Sequence, residues 1–259
     1  MKVVILAGGM GTRLREETEV KPKPMVEVGG RPILWHILKM YAHHGFSEFV
    51  VCLGYKGDVI RDYFFNYELR NCDVTMMLGS REMQVHNGHD EQGWRVTLAE
   101  TGGRTLTGGR VKRAARYLDG ERFMVTYGDG VSDVDLTALL DHHKSHGRLA
   151  TVTAVRPLSR FGQLDVDGEV VQAFREKPQL AEGWINGGFL VLEPGVLDLI
   201  EGDEESLEAG LLAKLAARRE LAVYQHHGFW QCMDTFREME LLNDMWRSGE
   251  APWAKWLGR

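Results

Sequence analysis

Short β-branched runs recur along this chain with helix-periodic stretches between them, and that alternation constrains the fold more than any other feature. Val3-Val4-Ile5 is stopped by glycine, and Phe49-Val50-Val51-Cys52-Leu53 follows a segment, Pro32 to Tyr41, whose apolar residues fall at helical spacing. Phe123-Met124-Val125-Thr126-Tyr127 and Ala150 to Val155 stand on either side of a predicted helix around Leu136 to His143. Apolar strands of this length are buried on both faces, and strands separated by helices close as βαβ units. The expected fold class is α/β, a mostly parallel mixed sheet flanked by helices. A helix over Val59 to Phe64, strands at Val74 to Leu78 and Trp94 to Leu98, and a helix at 207 to 219 continue the pattern. Residues 80 to 95 turn polar and glycine-bearing, which predicts an inserted loop or small lobe and the segment expected to act as a lid. With 259 residues and neither repeat nor linker, the chain reads as one domain, 1–259.

The loop after the first strand, Leu6-Ala7-Gly8-Gly9-Met10-Gly11-Thr12-Arg13-Leu14, carries the first chemical signal. Its glycines let the backbone turn tightly and present amide N–H groups to an anion. It lacks the Lys-Ser/Thr ending of a P-loop, and Arg13-Leu14 stand where a dinucleotide fingerprint would bring its third glycine. Arg13, Lys21 and Lys23 nevertheless lie close by in sequence, a planar fork and two point charges suited to phosphate oxygens.

The second signal is Gly128-Asp129-Gly130 at the end of an apolar strand. Carboxyl ends of parallel strands form the ligand crevice of open sheets, so Asp129 is a Mg²⁺ candidate, with a helix-capping turn aspartate as the alternative. Asp133, Asp135 and Asp234 are the candidate partner carboxylates; Asp133-Val134-Asp135 precedes a predicted helix, where capping is the favoured reading.

Several classes are excluded. A net charge of −6 argues against a nucleic-acid binder, whose footprint would be basic. No apolar segment approaches the roughly 20 residues that span a bilayer, and no leader precedes the first strand, so the expectation is a cytoplasmic protein without a membrane partner. Cys52, Cys72 and Cys232 are widely spaced and odd in number, which favours reduced thiols, with Cys52 a small buried apolar residue. His43-His44, His142-His143 with His146, and His226-His227 lack metal-ligand spacing; the group at 142–146 reads as a solvated helix end, and no zinc site is expected. No nucleophile motif is present.

Leu6 to Leu14 followed by Lys23-Pro24-Met25, Glu176-Lys177-Pro178 and Asn186-Gly187-Gly188-Phe189 resembles, in that order, the motif series of the sugar-1-phosphate nucleotidylyltransferases, over nearly the whole chain. Lys21-Pro22-Lys23-Pro24, Gly54-Tyr55-Lys56-Gly57, Thr126-Tyr127-Gly128-Asp129-Gly130 and the run from Gly228 to Thr235 are similar to the branch that uses CTP and glucose 1-phosphate. The resemblance implies a Rossmann-like nucleotide-diphospho-sugar transferase fold, with a nucleotide-binding half at about 1–130 and a sugar-binding half and tail at about 131–259. It implies that Leu6, Ala7, Gly8, Gly9, Gly11, Thr12, Arg13, Thr105, Arg110 and Gly128 contact the nucleotide. Arg13, Lys23 and Asp129 would be the catalytic groups, Arg13 on the departing pyrophosphate and Lys23 on the phosphates at the reacting centre. Asp129 and Asp234 would share Mg²⁺, and Glu176, Lys177, Asn186 and Gly187 would hold the sugar phosphate. The family is usually oligomeric, implying a homo-oligomer here; Trp246, Trp253 and Trp256 in the tail suit either that interface or packing within the chain. A UTP- or dTTP-dependent enzyme, a glycosyltransferase using Asp133-Val134-Asp135, and a non-catalytic sugar-nucleotide sensor are the alternatives.

Overall fold

The computed structural model describes residues 1–9, 11, 14–80, 82–157, 163–167, 170–175 and 183–258. Seven strands form one sheet in the order Leu221–Gln225, Ala150–Val155, Ile185–Leu192, Phe123–Tyr127, Lys2–Leu6, Glu48–Leu53, Arg95–Glu100. Adjacent strands are parallel except where Ile185–Leu192 runs against both its neighbours, so the expected mostly parallel mixed sheet is what forms.

Side chains alternate across each strand, and here both faces are apolar. Val3, Ile5, Phe49, Val51 and Met124 pack into one core with Leu34, Ile37 and Leu38 of the helix Ile33–His43, Leu136 and Leu139 of the helix Leu136–His146, and Leu242 of the helix Phe236–Ser248. Val4, Leu6, Val50, Cys52, Phe123 and Val125 pack into a second with Val111 and Ala114 of the helix Thr107–Ala114 and with Leu207, Leu211 and Leu215. Val3, Val4 and Ile5 are all fully buried, which is why no polar residue interrupts them. The sheet is thus the middle layer of three.

The chain runs outward from Lys2–Leu6 through Glu48–Leu53 to Arg95–Glu100, then returns to place Phe123–Tyr127 on the other side of the first strand. Strand order reverses there. In parallel sheets such a reversal parts the loops above the strands' carboxyl ends and leaves a crevice. The glycine loop leaves one of those two strands, and Gly128-Asp129-Gly130 leaves the other.

Some expectations need correction. Val74–Met77 does not join the sheet; it pairs antiparallel with Glu82–Val85 in a separate hairpin, so part of the polar insert is strand. Four-residue strands with exposed side chains have no buried face to place them in a core. His143 is not solvated: it is buried, with Nδ1 2.8 Å from Thr151 Oγ1 and Nε2 3.2 Å from Glu193 Oε1. The expected helix at 207 to 219 begins as a π-turn, Leu207–Leu212, and becomes α-helical at Ala213–Ala217. Trp246, Trp253 and Trp256 pack on their own chain around His36, with Trp253 also stacked on Phe229, so they offer no support for an interface. Asp135 does cap the helix Leu136–His146, its Oδ1 accepting from the amides of Thr137 and Ala138 at 3.0 and 2.9 Å, while Asp133 is engaged by His226 at 2.8 Å. Among the described residues, no helix is long and apolar enough to cross a membrane.

Candidate active site

The crevice is built from three stretches distant in sequence. The first is the glycine loop, tied down by the Ala7 amide on Cys52 O at 3.1 Å and the Tyr55 amide on Gly8 O at 3.2 Å. Gly11 takes φ +61°, where a side chain would be strained, and a Cβ there would also stand 3.2 Å from Lys23 Cβ. The second is the turn that follows Pro22. Pro22 and Pro24 restrict the backbone on either side of Lys23, and Val26 closes a 3₁₀ turn on Lys23 O at 3.0 Å, so the lysine stem enters the cleft from a stiff base.

The third brings the carboxylates together. Gly130–Ser132 pairs antiparallel with Trp230–Cys232, and the Met233 amide donates to Asp129 O at 2.8 Å. Asp234 therefore emerges beside Asp129. Its backbone is pinned from behind, because Glu238 Oε2 accepts from the amides of Asp234 and Thr235 at 2.7 and 2.8 Å, within the capping box of the helix Phe236–Ser248.

Lys23 Nζ donates to Asp129 Oδ2 at 2.6 Å and also to Asp234 Oδ1. Burial alone would lower the lysine's pKa, but Asp129 first and Asp234 with it hold it above its ordinary value. One ammonium thus sits where two carboxylates converge. Two such carboxylates, with phosphates and waters to complete a shell, are what Mg²⁺ takes, so the residues present fit that ion.

A cleft of about 440 Å³ opens around this pair, lined by Leu6, Ala7, Gly9 and Gly11 on one wall and by Tyr127, Trp230, Cys232 and Asp234 on another. Gly128 lets the walls approach: a Cβ there would come 3.0 Å from both Leu6 O and Pro24 Cγ. A smaller recess continues from Asp129 to Asn186 and Gly187. There Asn186 Nδ2 donates to the Tyr127 hydroxyl at 3.3 Å, that hydroxyl donates to Glu208, and Trp230 Nε1 donates to Gly187 O at 2.7 Å. Burial first, then Glu208, pushes the Tyr127 phenol above its usual range. Burial, followed by Glu238, Asp234 and Asp129, pushes the Cys232 thiol up to about 12, so it stays protonated at neutral pH and is no nucleophile.

The structure therefore brings Leu6, Ala7, Gly9, Gly11, Lys23, Gly128, Asp129 and Asp234 to one cleft, with Asn186 and Gly187 at its extension. Arg110 stands elsewhere. It is 4% exposed beneath the loop, donating to Gly8 O at 3.0 Å, Leu53 O at 2.9 Å and Thr101 Oγ1 at 2.8 Å. Thr105 is buried nearby, against Gly102 and Gly109. Thr12, Arg13, Glu176 and Lys177 lie outside the described residues. Tyr127, Trp230 and Cys232 were not among the expected site residues. A signal was available, since 230, 232 and 234 alternate on an extended segment that ends in a candidate ligand, and period two puts them on one face.

This combination of a glycine loop, a cation and paired carboxylates over a parallel-sheet switch point suits a nucleotide-handling transferase. The chain matches the nucleotidyl transferase family over residues 2–235, and it belongs to that family. It is 53% identical over 257 residues to the glucose-1-phosphate cytidylyltransferases of Salmonella typhi and Salmonella typhimurium, which covers 99% of this chain and 100% of each relative. The crystal structure of HddC from Yersinia pseudotuberculosis complexed with GMP-PN shares the fold, with a TM-score of 0.68 and 23% identity over 95% of this chain and 99% of that one.

Proposed function

We propose that this protein transfers a cytidylyl group from CTP to α-D-glucose 1-phosphate, forming CDP-glucose and releasing pyrophosphate. The observation that carries the reading is the convergence of Asp129 and Asp234 on Lys23 beside the glycine loop, in a chain that aligns over 257 residues at 53% identity with two glucose-1-phosphate cytidylyltransferases.

In this reading a phosphate oxygen of glucose 1-phosphate attacks the α-phosphorus of CTP in line, and pyrophosphate leaves from the opposite side. The nucleophile is already an anion, so no general base is needed. What the protein must do is hold two polyanions together and neutralise charge that grows on the α-phosphate and the leaving group. The loop Leu6–Gly11 supplies amides to the nucleotide, with Thr12 and Arg13 continuing it. Lys23 then leaves the carboxylates for the reacting phosphates, whose negative charge favours the ammonium form in their place. Asp129 and Asp234 would hold Mg²⁺, which would supply neutralisation of phosphate charge. Glu176, Lys177, Asn186 and Gly187 take the sugar phosphate, with Tyr127 and Trp230 fixing the last two through the bonds described above. Arg110 and Thr105 act on the nucleotide through the loop that Arg110 supports. The assembly is a homo-oligomer in the cytoplasm, with Mg²⁺ its cofactor.

The test is pyrophosphate release with Mg²⁺ and glucose 1-phosphate, run in parallel with CTP, UTP, dTTP and ATP. Release with CTP that depends on the sugar phosphate is the expected result; equal or greater release with another nucleotide overturns the assignment of the base. Release of nucleoside diphosphate instead of pyrophosphate overturns the reaction class.

A further inference from the structure

Outside the cleft, among the described residues, one group of side chains has the chemistry and spacing of a metal centre. Glu68 lies on the short helix Tyr67–Asn71, Cys72 caps that helix four residues later, and His89 comes from the loop beyond the hairpin. Cys72 Sγ is 3.4 Å from Glu68 Oε2, and His89 Nε2 is 3.1 Å from Glu68 Oε1. One ligand atom from each lies within 4.8 Å of the others. Around a tetrahedral Zn²⁺ with bonds of about 2.0–2.3 Å, neighbouring ligands sit roughly 3.3–3.8 Å apart. Only small side-chain adjustments separate the trio from that geometry.

A second observation stands behind the histidine. Glu91, 8% exposed, places Oε2 3.2 Å from His89 Nδ1, while its other oxygen accepts from Lys39 Nζ at 2.6 Å. Its backbone amide donates to Nδ1 at 3.1 Å, a bond that is exchanged for the carboxylate when Nδ1 takes a proton. A carboxylate behind the outer ring nitrogen of a ligating histidine fixes the ring and raises its basicity. The Tyr67 ring meets the imidazole edge to face at 5.0 Å and holds its plane.

We propose that Glu68, Cys72 and His89 bind a borderline-soft divalent cation of the Zn²⁺ type, with water in the fourth position, and that the ion clamps the base of the exposed hairpin. The thiolate, imidazole and carboxylate set selects such an ion over Mg²⁺, which prefers oxygen alone. On binding, the Cys72 thiol releases its proton to water, the Nε2 proton moves through solvent to Nδ1, and Glu91 accepts the new N–H. Cys72 and His89 bracket the hairpin Val74–Met77 and Glu82–Val85, whose Met76, Met77 and Leu78 are exposed. A lone two-stranded hairpin is marginal in water, and a metal across its base would steady it. The ligands sit at positions 68, 72 and 89, a spacing that straddles a whole hairpin and so shows no short motif.

The test is titration of the metal-free, full-length protein with Co²⁺ while excess Mg²⁺ occupies oxygen-lined sites. A thiolate-to-cobalt charge-transfer band with tetrahedral visible bands, saturating at one equivalent, is expected. It should vanish in Cys72→Ser and His89→Ala and persist in Cys232→Ser. Glu91→Gln should keep the spectrum while weakening Zn²⁺ competition by roughly 10–100-fold. Zn²⁺ should also slow amide exchange across 74–85 in the wild type but not in Cys72→Ser. A wild type without the band, or a band that survives Cys72→Ser, overturns the proposal.

Discussion

Lys23 Nζ and Asp129 Oδ2 lie 2.6 Å apart across 106 residues of sequence, and the same ammonium bonds Asp234. The lysine thereby fills the place that a divalent ion would take between the two carboxylates. Removing it leaves two carboxylates facing each other in a partly buried cleft, an arrangement that costs stability until another cation arrives. Lys23→Ala should therefore melt below the wild type in EDTA, gain more from added Mg²⁺ than the wild type does, and lose about 10²–10³-fold in kcat. Thermal melts with and without Mg²⁺ check the first two, and equal Mg²⁺ gains in both proteins would refute the shared cation position.

Asp129→Asn keeps the shape of the side chain and removes its charge. Since Asp129 projects from a strand end and takes no part in either core, the melting temperature should stay close to wild type while turnover falls by orders of magnitude. The apparent Mg²⁺ requirement should rise. Near-normal Mg²⁺-dependent pyrophosphate release from this variant would exclude the assigned role.

Arg110 bonds two backbone carbonyls and a hydroxyl under the glycine loop. Arg110→Met would remove a charged donor from each of these acceptors, leaving Gly8 O with the Tyr55 amide and Leu53 O with Thr101, at a cost of about 1–3 kcal/mol. The loop carbonyl Gly8 O is one of them, so the KM for CTP should rise more than kcat falls. A direct phosphate ligand would give the opposite split, with stability unchanged, and denaturant melts beside steady-state kinetics separate the two.

His36 is buried among Trp35, Trp246, Trp253 and Trp256, with Nε2 on Val28 O at 2.8 Å and Nδ1 accepting from Trp253 Nε1 at 3.3 Å. A proton on Nδ1 would oppose the Trp253 N–H that donates to it. Burial, with Arg31 adding to it against the Val28 bond, lowers the pKa from 6.5 to about 4. The unfolded chain takes the proton first, so this contribution is complete above pH 6.5 and erodes as pH falls towards 4, at about 1.4 kcal/mol per pH unit. Between pH 7 and pH 5 the wild type should lose ~2 kcal/mol more than His36→Gln does. Urea melts at the two pH values decide it; equal losses would show that His36 is not the acid-sensitive group.

The sheet was legible because runs such as Val3-Val4-Ile5 and Phe123 to Tyr127 are buried on both faces, and burial on both faces writes a continuous apolar word. The glycine loop and Asp129 were legible for a related reason, since sharp turns at strand ends demand particular residues. Arg110 and His143 were not. A guanidinium donating to carbonyls beneath a loop and a histidine clasped between Thr151 and Glu193 have the same composition as solvated ones, and only tertiary placement distinguishes them. The hairpin at 74–85 was half visible, because short strands exposed on both sides carry no periodic signature.

Lys23 and Asp234 are partners across 211 residues, and Asp234 reaches its place only when Trp230–Cys232 pairs with Gly130–Ser132. A nascent chain can therefore emerge with all seven strands of its sheet and still lack a completed cation site. Catalytic competence is a late event of synthesis: a polypeptide stalled before Asp234 would lack both the second carboxylate and the helix Phe236–Ser248 that packs on the first core.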